Sequence, residues 1–191
     1  MEQKQKAVTL EFKNKHYLNS EVPLWFAVYT KYRSEKFVCQ QLLKKGIQAY
    51  VPLQNRVRKY KRKVKSYEIP VINCYVFVKI KSQEYIRVLD TPYVNFFIKT
   101  GRDIRAIEQE EIDILRKIAG SDVEVKVRPI QLKPGMEVMI NSGNLTGLKG
   151  VITARSGKKE FCIQLENLGL EFQLQVSEDI LSSCSKDKAL A

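Results

Sequence analysis

The residues able to do chemistry are few and scattered. The sole histidine, His16, lies in a polar amino-terminal stretch, far from any nucleophile-bearing motif, so no acyl-transfer triad can be built around it. Glu108, Glu110 and Glu111 are close in sequence and could in principle hold a metal or exchange protons. They also stand where a helix begins, and its positive end accounts for them without a ligand. Cys39, Cys74, Cys162 and Cys184 are far apart, with no C-x-x-C pair and no neighbouring histidine, which argues for plain thiols and against a zinc or redox centre. No phosphate-cradling glycine loop is present. An enzyme, a cofactor and a metal are therefore not expected, and function must reside in binding.

The abundant chemistry is cationic and aromatic. Lys plus Arg number 33 against 21 Asp plus Glu, a net charge of +12 that favours an anionic neighbour, nucleic acid first. Seven cations, Arg56, Arg58, Lys59, Lys61, Arg62, Lys63 and Lys65, fall between Asn55 and Tyr67 without one acidic residue. Such a segment repels itself unless phosphates are near, and Tyr60 interleaves a stacking surface. Contacts of this kind give affinity without reading sequence, with solvated surface charge as the plainer alternative. No apolar run of about 18 residues and no signal-peptide pattern is seen, so no membrane contact and a cytoplasmic location are expected.

Positioning these residues falls to two small folding units, which 191 residues with 44% hydrophobic and 28% charged composition can supply. Residues 1–22 read as a flexible extension. Leu24 to Tyr29 reads as a strand with Trp25, Ala27 and Tyr29 on one face and Phe26 and Val28 on the other. A helix from Ser34, with Val38 and Leu42 inward, stops at Gly46, and a strand from Ile47 to Val51 ends at Pro52. Past the basic segment come a strand over 71–80, a short helix over 82–89, a strand over 94–99 and a helix over 107–119. That order predicts an α+β fold: a split βαβ, ferredoxin-like domain over 23–120. Its antiparallel sheet has all its helices on one side and leaves an apolar face bare, with Tyr29, Tyr75 and Phe77 on it. A linker over 121–133 and a small β-barrel over 134–182 follow, built from strands near 137–141, 150–155, 161–165 and 170–176. The tail, 183–191, is expected to fray.

Gly135, Val138, Gly143, Gly147 and Gly150, with Pro134, Ile140 and Val151, are spaced as in the KOW motif of NusG, Spt5 and several ribosomal proteins, where glycine permits the sharp turn and re-entry. Trp25-Phe26-Ala27-Val28 followed by Glu35 and Val38, then Tyr75-Val76-Phe77-Val78, resembles the NusG amino-terminal (NGN) domain. The two signals occur in the family's order over residues 24–181. The chain resembles specialised paralogues, RfaH and the Bacteroides capsule-operon (UpxY-type) regulators, more than housekeeping NusG. It departs from the family at Ile72-Asn73-Cys74, where Phe-Pro-Gly or Phe-Pro-Asn is common.

The resemblance implies a monomeric factor that binds elongating RNA polymerase and promotes processive elongation or antitermination, here of long operons such as surface-polysaccharide clusters. Tyr29, Ile72, Asn73, Tyr75 and Phe77 match the residues that grip the largest subunit's coiled coil. The basic segment matches a variable hairpin facing upstream nucleic acid, and Lys31, Arg33, Gln41 and Lys44 match positions near nontemplate DNA in RfaH-like paralogues. The barrel would recruit Rho or a ribosomal protein, with Leu145, Phe161 and Phe172 as surface or core residues. A general elongation factor and a ribosome-associated RNA-binding KOW protein are the competing readings.

Overall fold

The computed structural model describes residues 21–60, 63–99, 103–130, 135–155, 158–177 and 180–183. His16, Lys61, Arg62, Pro134 and most of the expected extension and tail lie outside these residues. In chain order the amino-terminal half runs β1 (Leu24–Thr30), α1 (Glu35–Lys44), β2 (Gln48–Tyr50), β3 (Leu53–Tyr60), β4 (Lys63–Pro70), β5 (Tyr75–Ile80), a 3-10 turn (Ser82–Glu84), α2 (Tyr85–Leu89), β6 (Val94–Phe97) and α3 (Gln109–Ala119).

Four strands form an antiparallel sheet in the order β2-β5-β1-β6. Because side chains alternate across a strand, Phe26 and Val28 of β1 share one face with Val76 and Val78 of β5. Val38 and Leu42 of α1 and Val88 of α2 belong to the same buried cluster and close that face. Helix α1 stops where Gly46 takes a φ of 76°, a value that costs glycine nothing.

The opposite face is not bare, which corrects the sequence expectation. Trp25, Ala27 and Phe77 are buried with Ile107 and with Ile112, Leu115 and Ile118 of α3. The Ile107 N–H donates to the Trp25 carbonyl at 2.8 Å, so the chain is tied to the sheet edge just before α3 begins. With the first face already filled by α1 and α2, the apolar stripe of α3 finds its burial on the second. Its first turn carries Glu110 and Glu111 and its last Arg116 and Lys117, both favourable to the helix dipole.

Strands β3 and β4 pair only with each other and form a separate two-stranded ribbon. Val57 and Val64 are 63% and 62% exposed, so the ribbon has no core of its own at mid-length. Its root is closed by the Val71 N–H donating to the Pro52 carbonyl at 2.8 Å.

The carboxy-terminal half contains β7 (Val125–Pro129), β8 (Met136–Ile140), β9 (Lys149–Arg155), β10 (Lys158–Leu165), β11 (Leu170–Leu174) and β12 (Leu181–Ser183). They form one antiparallel sheet in the order β12-β8-β9-β10-β11-β7. Two strands complete this sheet: β7, within the expected linker, pairs with β11, and β12, across the expected boundary between barrel and tail, pairs with β8. Val138, Ile140, Leu145, Phe161, Phe172 and Leu174 fill its interior. Leu145 is thus core and no surface contact. Gly150 sits where a Cβ would lie 2.5 Å from the Cys162 carbonyl oxygen and 2.7 Å from Cζ of Phe161, so no larger residue fits.

Helix α3 is shared by both halves. On one side Gln109 accepts a 2.9 Å hydrogen bond from the Trp25 indole, and Arg116 lies 5.5 Å over the Tyr50 ring. On the other, the Glu111 carboxylate accepts from the Asn167 backbone N–H at 3.1 Å and its amide at 2.9 Å, and Lys117 donates to the Thr146 carbonyl at 3.2 Å.

Candidate interaction surfaces

The exposed end of the second sheet face carries three rings. Register places Tyr29 opposite Tyr75 on one side and Phe96 on the other. Tyr29 stacks on Phe96 with centroids 5.1 Å apart and planes 4° apart, and meets Tyr75 edge-on at 6.0 Å. Phe96 is 50% exposed, while Tyr29 and Tyr75 are half-buried. The rings form a preassembled apolar platform.

The turn before Tyr75 holds this platform. Cys74 adopts a φ of 65°, unusual for a residue with a side chain. Its N–H donates to a Glu35 carboxylate oxygen at 2.7 Å, and its carbonyl accepts from Thr30 N–H at 2.8 Å. Glu35, 3% exposed at the start of α1, thus fixes the turn by satisfying a backbone donor. A hydrogen bond with the Cys74 thiol group is the main influence raising the Tyr29 hydroxyl above its ordinary range, while burial raises Tyr75.

Of the expected platform residues, Tyr29, Tyr75 and Asn73 are accessible. Ile72 and Phe77 are not: they are 5% and 0% exposed beneath the cluster that α3 completes. Phe96 was missed, although a strand that buries Phe97 must turn its neighbour to the other face.

A second aromatic pair stands across the α1 edge. Phe37 of α1 and Tyr93, both exposed, meet at 5.4 Å, and the Lys31 ammonium lies 5.4 Å from the Tyr93 ring centre. Gln41 and Lys44 follow Phe37 at helical spacings of four and seven, so they share its stripe. Arg33 parts from this group, its guanidinium 5.2 Å over the ring of Tyr32.

The basic segment is the ribbon β3–β4. Arg56 is directly opposite Tyr67, and Lys63 and Lys65 alternate onto the same face of β4. Arg58 and Lys59 lie in β3, paired with Lys65 and Val64. Lys36 of α1 braces the ribbon through a 2.8 Å pair with Glu68. At its root, the buried Gln54 amide approaches the carbonyls of Ile118, Ser121 and Val123 at 2.9–3.2 Å.

Of the positions expected to form a KOW motif, Gly143 and Gly147 take φ of 80° and 82° in the β8–β9 turn, while Gly135 precedes β8 and Val138 is core. Among the described residues no group of three or more His, Cys, Asp or Glu converges as a metal site, and no helix is long and apolar enough to cross a membrane.

Residues 23–116 match the family model described as transcription termination factor nusG. Among solved structures, NusG of Thermotoga maritima, in a study of its domain interaction, is 19% identical over 85% of this chain and 98% of that one, with a TM-score of 0.48. The MjSpt4:Spt5 complex in conformation B is 17% identical with the same coverages and a TM-score of 0.31. No curated protein matches the chain.

Proposed function

We propose, on the premise that this chain carries a NusG-family domain in residues 23–116, that it is a transcription factor which rides on elongating RNA polymerase and favours processive, antiterminated synthesis of long operons. The observation that carries this reading is the ring platform of Tyr29, Tyr75 and Phe96. Exposed rings held in one geometry bind without first being ordered, and burying each contributes about 2 kcal/mol. Three such anchors together contribute about 6 kcal/mol toward docking onto a helical partner such as the largest subunit's coiled coil. Phe77 and Ile72 act beneath the platform as its support.

The ribbon β3–β4 would lie against upstream nucleic acid, and the Lys31, Gln41, Lys44, Phe37 and Tyr93 group against the exposed nontemplate strand. The carboxy-terminal sheet would recruit a further protein, Rho or a ribosomal component.

The test is capture of the 191-residue chain by the immobilised coiled coil. Tyr75→Ala combined with Phe96→Ala should abolish capture while leaving the circular dichroism spectrum and unfolding midpoint nearly unchanged. Undiminished capture by that variant would remove the platform from the interface.

A further inference from the structure

The carboxy-terminal sheet ends in β7, which pairs with β11 on one edge and with no strand on the other. Along that second edge, against the root of the ribbon, runs a slot of about 400 Å³ lined by Gln54, Arg56, Ile69, Val71, Val125 and Val127, among others. It is separate from the ring platform. We propose that this slot takes an extended peptide segment of another protein, in which apolar and acidic residues alternate, as a strand added to β7.

The backbone prepares the edge. Ile130 N–H donates to the Gly169 carbonyl at 3.0 Å, and from there β7 runs in register against β11, with Arg128 opposite Glu171 and Lys126 opposite Gln173. Hydrogen-bonded pairs alternate along an antiparallel ladder, so Arg128 and Lys126 direct their N–H and C=O groups to β11. Val125 and Val127 therefore turn theirs outward, toward the slot that both residues line. Those outward groups have no hydrogen-bond partner among the described residues. Pro129, with no N–H to give, falls at an outward position too, where the ladder loses nothing by it. A row of unpaired backbone groups beside an open slot is a template for one more strand.

Side chains specify what that strand carries. Residues of an added strand stand directly opposite those of β7. Two of them face Val125 and Val127, both half-buried, beside the Ile69 and Val71 wall, and apolar side chains suit them. Their neighbours face Lys126 and Arg128. Glu171, across from Arg128, already accepts from the Gln164 and Gln173 amides at 3.3 and 3.1 Å, and Glu124 is the one acid preceding Lys126 on that side of the strand. No carboxylate lines the slot, and Arg56 adds a further cation to it. Acidic residues at the alternate positions complete these pairs. A second copy of this chain fits worse, because β7 paired antiparallel with its own image sets Lys126 and Arg128 against like charges.

The test uses the 191-residue chain with two blocked peptides, one alternating valine with glutamate and the other valine with lysine, and reads amide hydrogen exchange by NMR. The glutamate peptide at saturation should slow exchange at Val125 and Val127 about tenfold or more, leaving Lys126 and Arg128, already bonded to β11, unchanged. It should bind about tenfold more tightly than the lysine peptide, whose charges repel those of β7. Lys126→Glu should erase that preference. Val127→Pro, which deletes an outward N–H and no part of the β11 ladder, should abolish binding while the Lys126 and Arg128 amides stay protected. Absence of binding by the glutamate peptide overturns the proposal, as does equal affinity for the two peptides or slowing at Lys126 and Arg128 in place of the valines. Protection of Val125 and Val127 before any peptide is added also overturns it: protection independent of protein concentration assigns the edge to another segment of this chain, and protection that grows with concentration assigns it to a second copy. Each of these failures leaves the polymerase reading standing, since coiled-coil capture tests that platform separately.

Discussion

Phe77 and Phe96 lie on the same face of one sheet and differ in what stands above them. Helix α3 seals Phe77, whereas Phe96 faces solvent beside Tyr29. Phe77→Ala should cost about 3–5 kcal/mol in urea unfolding through the cavity it leaves, and Phe96→Ala under about 1 kcal/mol. A small effect at Phe77 would mean that α3 does not cover it in solution. Cys74 separates conformation from packing. Cys74→Gly and Cys74→Ala both lose the thiol, but only alanine keeps a Cβ at a φ of 65°. The glycine variant should be the more stable of the two by about 1 kcal/mol, read as the difference in unfolding free energy. Tyr50 gives a pH signature. Burial pushes its hydroxyl up to about 12, with Arg116 pulling the other way. The folded state holds that proton more tightly than the unfolded chain, so stability is intact below the ordinary tyrosine value of about 10 and falls as pH rises from there to about 12. Tyr50→Phe should flatten that decline, measured as urea midpoints across the range.

At the scale of elements, the ribbon β3–β4 is the feature that sequence patterning conceals. Residues 54–67 show no apolar alternation, because the ribbon buries only its root, where Gln54 meets the end of α3. Strands β1 and β5 were legible for the opposite reason, since aromatic and β-branched residues line both of their faces. The stripe of Ile112, Leu115 and Ile118 announced a helix with one buried side, yet a stripe does not say which sheet face receives it. That ambiguity misplaced Phe77 on a bare surface, whereas Ile72, buried as well, was expected there from the resemblance alone. It also hid Phe96, whose role depends on the β1–β6 register. Strand β7 is short and ends in proline, so it read as linker until its partner β11 was known. For the ribbon's charge, alanine replacement of Arg56, Lys63 and Lys65 should lower the slope of log affinity against log salt on duplex DNA by about 0.9 per lost phosphate contact. A slope equal to that of the unaltered chain would show that the ribbon points away from the nucleic acid.

Across the whole molecule, α3 joins the two halves. It is held to the first sheet through Gln109 and Arg116 and to the second through Glu111 and Lys117, while Gln54 ties the ribbon root to the segment leading into β7. Glu111 is 8% exposed, and its carboxylate accepts two hydrogen bonds from Asn167 in the β10–β11 turn, a charge-assisted tie across the joint. Glu111→Ala removes the acceptor and leaves the Asn167 donors to water, weakening the joint by about 1–3 kcal/mol. Because the interior of each sheet is untouched, the loss should appear as freedom of one half relative to the other and not as global unfolding. Amide hydrogen exchange should therefore quicken in the β10–β11 turn and along the outer side of α3, with β1 and β5 unchanged, and NMR relaxation should resolve two tumbling times where the unaltered chain gives one. Unchanged exchange in that turn would place the coupling elsewhere, with Gln54 the next residue to replace.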